Sequence, residues 1–74
     1  MDEENSILIK LGDNLRSARE GKKLSQEALA SKAGLHRTYI GSVERGEYNV
    51  TILSLRKITN ALGISLQQAV RGIS

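Results

Sequence analysis

Aliphatic residues recur along this chain at helical intervals, with no alternating run that would signal a strand. Ile7, Leu8, Leu11, Leu15 and Ala18 form one apolar stripe and predict a first helix from about Asn5 to Glu20. Arg16 and Arg19 fall near its C-terminal end, where cations suit the helix dipole, and Gly21 is placed to end it. Gly12, inside the stripe, is a mild penalty against that helix. Lys22, Lys23 and Leu24 make a short loop. Ser25 is a good N-cap for a second helix, and Glu27 suits its first turn. Leu29, Ala30 and Ala33 face inward on it. Gly34 breaks this helix at a positive φ, and the turn is Gly34-Leu35-His36 with Leu35 buried.

A third helix spans about Arg37 to Arg45. Its only aliphatic residues, Ile40 and Val43, sit three apart, so a narrow stripe anchors it and the rest of its surface is free. Gly46 terminates it, and Glu47, Tyr48, Asn49 and Val50 form a loop. Thr51 caps a fourth helix that presents Ile52, Leu55, Ile58 and Leu62 at helical spacing until Gly63 stops it. Ser65 to Gln68 matches a capping box, which predicts a short fifth helix ending near Arg71. The expected fold is all-α: one compact five-helix domain over residues 1–74.

Composition narrows this picture. A chain of 74 residues is one domain at most. A domain of this size buries only ~60% of its unfolded surface. Cysteine is absent, so neither a disulfide nor a thiolate metal site can staple it. Tyr39 and Tyr48 are the only aromatic residues, so the core must be aliphatic. With one histidine, no phosphate loop and no framed carboxylate pair, an enzyme is not expected, nor is a cofactor or metal. No apolar run is long enough for a signal peptide or a membrane span, so a cytoplasmic protein with no membrane partner is expected.

The net charge of +3 is unevenly placed. Asp2, Glu3, Glu4 and Asp13 lie at the start, whereas residues 16–57 hold nine basic side chains against four acidic ones. A basic middle favours a polyanionic partner. Residues 25–46, SQEALASKAGLHRTYIGSVERG, have the layout of a helix-turn-helix, whose second helix enters the DNA major groove. Ala30 is the small residue where the two helices meet, and Gly34 supplies the turn.

Residues 8–70 resemble the Cro/repressor-type, or XRE-type, helix-turn-helix domain. The resemblance is carried by Leu24, Ser25, Gln26, Leu29, Ala30, Gly34, Leu35, Ile40, Val43, Glu44, Gly46, Leu55, Leu62 and Gly63. Within that family, LHRTYIGSVERGEYNVTILSL is most similar to the controller proteins of restriction–modification systems, which carry a close variant of RTYISGIERGRRN. The chain departs from that pattern at Tyr48, where an arginine is usual. The lost cation should reduce the electrostatic component of binding or alter spacer readout.

The start of the third helix is expected to reach base edges: Arg37, Thr38 and Tyr39, with Gly41 and Ser42 one turn on. Arg37 can fork onto guanine O6 and N7. Thr38 can touch a thymine methyl, a base edge or a phosphate. Tyr39 either packs against the core edge or extends its hydroxyl to the DNA backbone. Arg45, Asn49 and Thr51 flank the following loop and are expected to grip phosphates. Lys22 and Lys23 could touch phosphate at the periphery, although a solvated pair is the preferred account, and His36 is expected to be an exposed turn residue. The resemblance implies that Gln26 bonds the phosphate backbone and braces the recognition helix. It also implies a partly buried ion pair between Arg19 and Glu44. Glu27 matches a position that touches RNA polymerase in some relatives; its alternative role is to favour the helix dipole.

Operators read by two-fold dimers are symmetric, with half-sites about one turn apart. Leu62, Ile64, Leu66, Val70 and Ile73 exceed what so small a core needs, so the end of the fourth helix and the fifth are expected to form a homodimer interface. The alternative is that Leu66 and Val70 close the monomer core. The expected function is that of a homodimeric transcription regulator on a palindromic double-stranded operator, a controller that activates and represses, associated with the bacterial nucleoid through DNA. A phage-type repressor or an antitoxin on the same fold is one alternative, the antitoxin disfavoured by the lack of an appended toxin-binding tail. A helical module that binds protein rather than DNA is the alternative from another class.

Overall fold

A computed structural model describes residues 3–73, so Asp2 of the acidic start lies outside the described residues with Met1 and Ser74. Five helices follow one another: α1 (Glu3–Gly21), α2 (Gln26–Ala33), α3 (Arg37–Glu44), α4 (Ile52–Leu62) and α5 (Leu66–Ala69). No strand occurs among the described residues. Glu3 and Glu4 extend the first turn of α1, where acidic side chains complement the helix dipole. The fifth helix is a single turn and ends before Arg71.

The core is aliphatic. Leu11 and Leu15 of α1 meet Leu29 and Ala30 of α2, Ile40 and Val43 of α3, Leu55, Ile58 and Leu62 of α4, and Ala69 of α5. α2 packs against α3 and α4, while α1 lies along α3. The side chain of Asn14 supplies a tie with no sequence signature. Its Nδ2 donates to the carbonyls of Ala69 at 2.8 Å and Arg71 at 2.9 Å, fastening the C-terminal segment to α1.

Three burial expectations need correction. Ile52 lies on the stripe of Leu55 and Ile58, but it is 65% exposed because the first turn of α4 runs past the edge of the core. Leu53 beside it is also exposed. Leu35 packs against the core but remains partly open, because it sits in the turn rather than on a helix. Leu62 is fully enclosed in the monomer and has no surface to offer a partner.

The helix ends explain how so short a chain reverses direction so often. The carbonyl of Ala30 accepts from the N–H of Leu35 at 2.9 Å, with Gly34 at φ 70° between them. The carbonyl of Ser42 accepts from Glu47 at 3.0 Å across Gly46 at φ 74° in the same way. The first helix closes alike, Leu24 N–H to Arg19 carbonyl at 3.2 Å, but its left-handed residue is Lys23 at φ 58°. Gly21, expected to end α1, is its last helical residue instead. The N-caps follow expectation: Ser25, Thr51 and Ser65 each accept a bond from the N–H three residues on. Ser65 and Gln68 complete a reciprocal capping box.

Candidate nucleic-acid interface

α3 has two unlike sides. Ile40, Val43 and Glu44 are buried, and Val43 and Glu44 lie three and four positions beyond Ile40, so one inward face holds them. Glu44 is only 3% exposed. A buried carboxylate is costly unless its oxygens are met by donors. Arg19 donates through Nε at 2.7 Å and Nη2 at 3.1 Å, and Gln26 through Nε2 at 3.1 Å. The remaining reach of Arg19 is used by Nη1, which donates to the Leu24 carbonyl at 2.8 Å. The hydrogen bond to Glu44 raises the Arg19 pKa above its ordinary value, outweighing the opposite effect of burial. The expected ion pair is therefore present, and Gln26 joins it. Three elements, α1, α2 and α3, meet at one carboxylate.

Gly12 lets them meet. A Cβ there would lie 2.7 Å from the Val43 carbonyl oxygen and closer still to that of Glu44, so the backbones of α1 and α3 touch. Gly46 makes a second such approach, against the backbone of Ile9 at 2.9 Å, besides its positive φ. The first glycine looked like a mere helix penalty in the sequence. Its reason is tertiary.

The outward side of α3 is different. Arg37 and Thr38 are exposed, and neither side chain makes a hydrogen bond or ion pair with the described residues. Ser42 follows, half-buried. Gly41, expected near this reading edge, is buried instead and faces Gln26 and Arg45. One edge of the Arg45 guanidinium is occupied: Nε lies 2.9 Å and Nη2 3.2 Å from the Glu47 carboxylate, and Nη2 lies 3.4 Å from Ser42 Oγ. That hydrogen bond holds the Glu47 carboxyl below its ordinary range. Tyr39 packs against the edge of the core, and its ring meets that of Tyr48 edge-on, centroids 5.1 Å apart. The ring contact and the Arg45–Glu47 pair were missed in the sequence, because neither follows from helical spacing.

The peripheral residues lie around this face. His36 caps α3 by position but without a side-chain bond, and it is exposed as expected. Asn49 and Thr51 are exposed on the loop into α4, although the Thr51 hydroxyl already accepts from Ser54 N–H at 3.1 Å. Lys22, Lys23 and Glu27 are exposed near the start of α2. At the far end Val70 is exposed, while Ile64, Leu66 and Ile73 are partly covered by the core.

The pattern that defines the helix-turn-helix family matches residues 15–68 of this chain. The chain belongs to that family. It is 55% identical over 56 residues to the control protein C.SmaI of Serratia marcescens, covering 76% of this chain and 67% of that one. The crystal structure of the restriction–modification controller protein C.AhdI from Aeromonas hydrophila superposes with a TM-score of 0.82 at 45% identity, covering 84% of this chain and 94% of that one. The controller C.Esp1396I, solved as a tetramer with its natural 35 base-pair operator, superposes with a TM-score of 0.79 at 38% identity, covering 85% and 83%. In the terms of the family, α2 and α3 are the helix-turn-helix.

Proposed function

We propose that this protein is a sequence-specific transcription regulator of the restriction–modification controller type, bound as a homodimer to a palindromic operator. The observation that carries the reading is the division of α3. Its inner face is pinned by core contacts and the Glu44 cluster, while Arg37 and Thr38 stand exposed at its start with free donors. A rigid helix with an open polar N-terminal face suits insertion into the major groove. Its likeness to C.Esp1396I, a controller solved on its operator, supports the same reading over a phage-type repressor or a protein-binding module.

Arg37 reads guanine through a bidentate fork, Thr38 and Ser42 contact neighbouring bases, and Tyr39 reaches DNA beside them. Arg45, Asn49 and Thr51 hold phosphates on one flank. Gln26 donates one amide N–H to Glu44, so its part is to brace α3 and offer the other N–H of that amide, with the start of α2, to the backbone. Phosphate binding requires Arg45 to leave Glu47 or to bind with that carboxylate beside it. The dimer surface comprises Val70, Ile64, Leu66 and Ile73, without Leu62. Glu27, exposed on α2, is available to RNA polymerase when a dimer sits upstream of a promoter, so one protein activates or represses according to site position. No helix among the described residues is long and apolar enough to cross a membrane. On this reading the protein resides on bacterial DNA.

The test is selection from random-sequence duplex DNA, with the winners titrated across salt. A tightly bound palindrome, and a dimer by sedimentation at the same concentrations, is the expected result. Weak, salt-dependent binding without a motif would contradict sequence-specific regulation, and no binding would favour the protein-interaction module.

A further inference from the structure

We propose that Tyr48 is a positioning residue for DNA readout: its ring holds Tyr39 so that the Tyr39 phenol is set for contact with the operator. The inference rests on the regulator reading above. The chain has two aromatic residues, and they touch although one lies on α3 and the other in the loop beyond it. The rings meet edge to face, 5.1 Å between centroids with an interplanar angle of 64°, the arrangement favoured by the ring quadrupoles. Tyr48 is 53% exposed, so it does not serve as core filling. Tyr39 is gripped on one side by the core and on another by Tyr48.

The backbone fixes this encounter. Gly46 turns the chain at φ 74° and is pressed against α1, and the Glu47 N–H is tied to the Ser42 carbonyl. The Tyr48 ring is thereby returned to Tyr39 in the first turn of α3, the turn that also carries the exposed Arg37 and Thr38. A tyrosine has two side-chain torsions, and a side chain ordered before binding spares the complex that ordering cost. Tyr48 therefore acts through Tyr39, and its own hydroxyl has no part in the contact.

The experiment measures affinity for the selected operator with the full chain and its Tyr48→Phe, Tyr48→Ala, Tyr39→Phe and Tyr39→Phe/Tyr48→Ala variants, each confirmed folded by circular dichroism. Tyr48→Ala is expected to bind about 3- to 10-fold more weakly, through faster dissociation. Its salt dependence should be unchanged. Tyr48→Phe keeps the ring and should match the wild type. Tyr39→Phe should lose affinity, and lose less of it when Tyr48 is already alanine. Loss in Tyr48→Phe equal to that in Tyr48→Ala, full affinity in Tyr48→Ala or in Tyr39→Phe, or strictly additive losses would each overturn the proposal while leaving the regulator reading intact. Failure of the wild-type chain to bind any DNA would overturn both.

Discussion

Glu44 and Arg45 are neighbours in sequence, and each makes an ion pair, but the two pairs are physically different objects. Arg19–Glu44 closes at 2.7 Å with side chains 12% and 3% exposed. Arg45–Glu47 closes at 2.9 Å with side chains 56% and 57% exposed. Nearly equal distances conceal opposite consequences. The buried carboxylate has no water to return to if its partners are lost, so removing one side is expensive. The exposed pair exchanges with solvent and salt at little cost. One pair fixes where α3 sits. The other leaves a cation that DNA can take over.

Breaking the inner pair should have the largest effect. Glu44→Ala leaves Arg19 and Gln26 with unmatched donors, and we expect a loss of about 3–5 kcal/mol in chemical denaturation. Operator affinity should fall with it, although Glu44 touches no DNA. Equal affinity in a folded Glu44→Ala protein would show that α3 does not depend on this brace.

Gly12→Ala comes next. A methyl group there collides with the Val43 and Glu44 carbonyls, so we expect a net loss of about 1–3 kcal/mol, although alanine is the better helix former. A raised melting temperature would refute the close approach of α1 and α3. Lys23→Gly should act in the opposite direction. It relieves a left-handed lysine at a helix end where α2 uses glycine, and a gain of about 0.5–1 kcal/mol in thermal or chemical unfolding is expected.

The outer pair should hardly alter stability and should alter binding. Arg45→Ala is expected to lower the slope of log affinity against log salt by about one, the signature of one lost phosphate contact. Glu47→Gln should tighten DNA binding, because it frees Arg45 and removes a carboxylate from the interface. The pH dependence has a definite sign. The Glu47 carboxyl titrates lower in the folded protein than its ordinary value of 4.5. Its small contribution is therefore present above that value and disappears as pH falls through the lower folded one. The difference between wild type and Glu47→Gln in acid unfolding should accordingly close as pH falls through the lowered folded value.

The same contrast explains what was legible in the sequence. Helix number, the caps at Ser25, Thr51 and Ser65, and the turn at Gly34 are local, and residue spacing reveals local structure. The inward face of α3 was legible from Ile40 and Val43, and the family resemblance placed Arg19 against Glu44. Gly12 and Asn14 were read less well because their partners lie elsewhere in the fold: carbonyls of α3 and carbonyls near the C-terminus. Ile52 and Leu62 show the opposite failure. Both fit the apolar stripe of α4, yet one is exposed and the other wholly enclosed, because periodicity gives a direction around a helix and says nothing of where the core stops.

On the regulator reading, the inner face of α3 holds the helix while its outer face reads DNA. Paired selections from one random DNA pool, wild type beside Arg37→Ala, separate the two faces. A palindrome is expected for the wild type and, for a variant of unchanged melting temperature, relaxed preference at one guanine in each half-site with a loss of about 1–3 kcal/mol there. An unchanged base preference in Arg37→Ala, with folding intact, would contradict that reading.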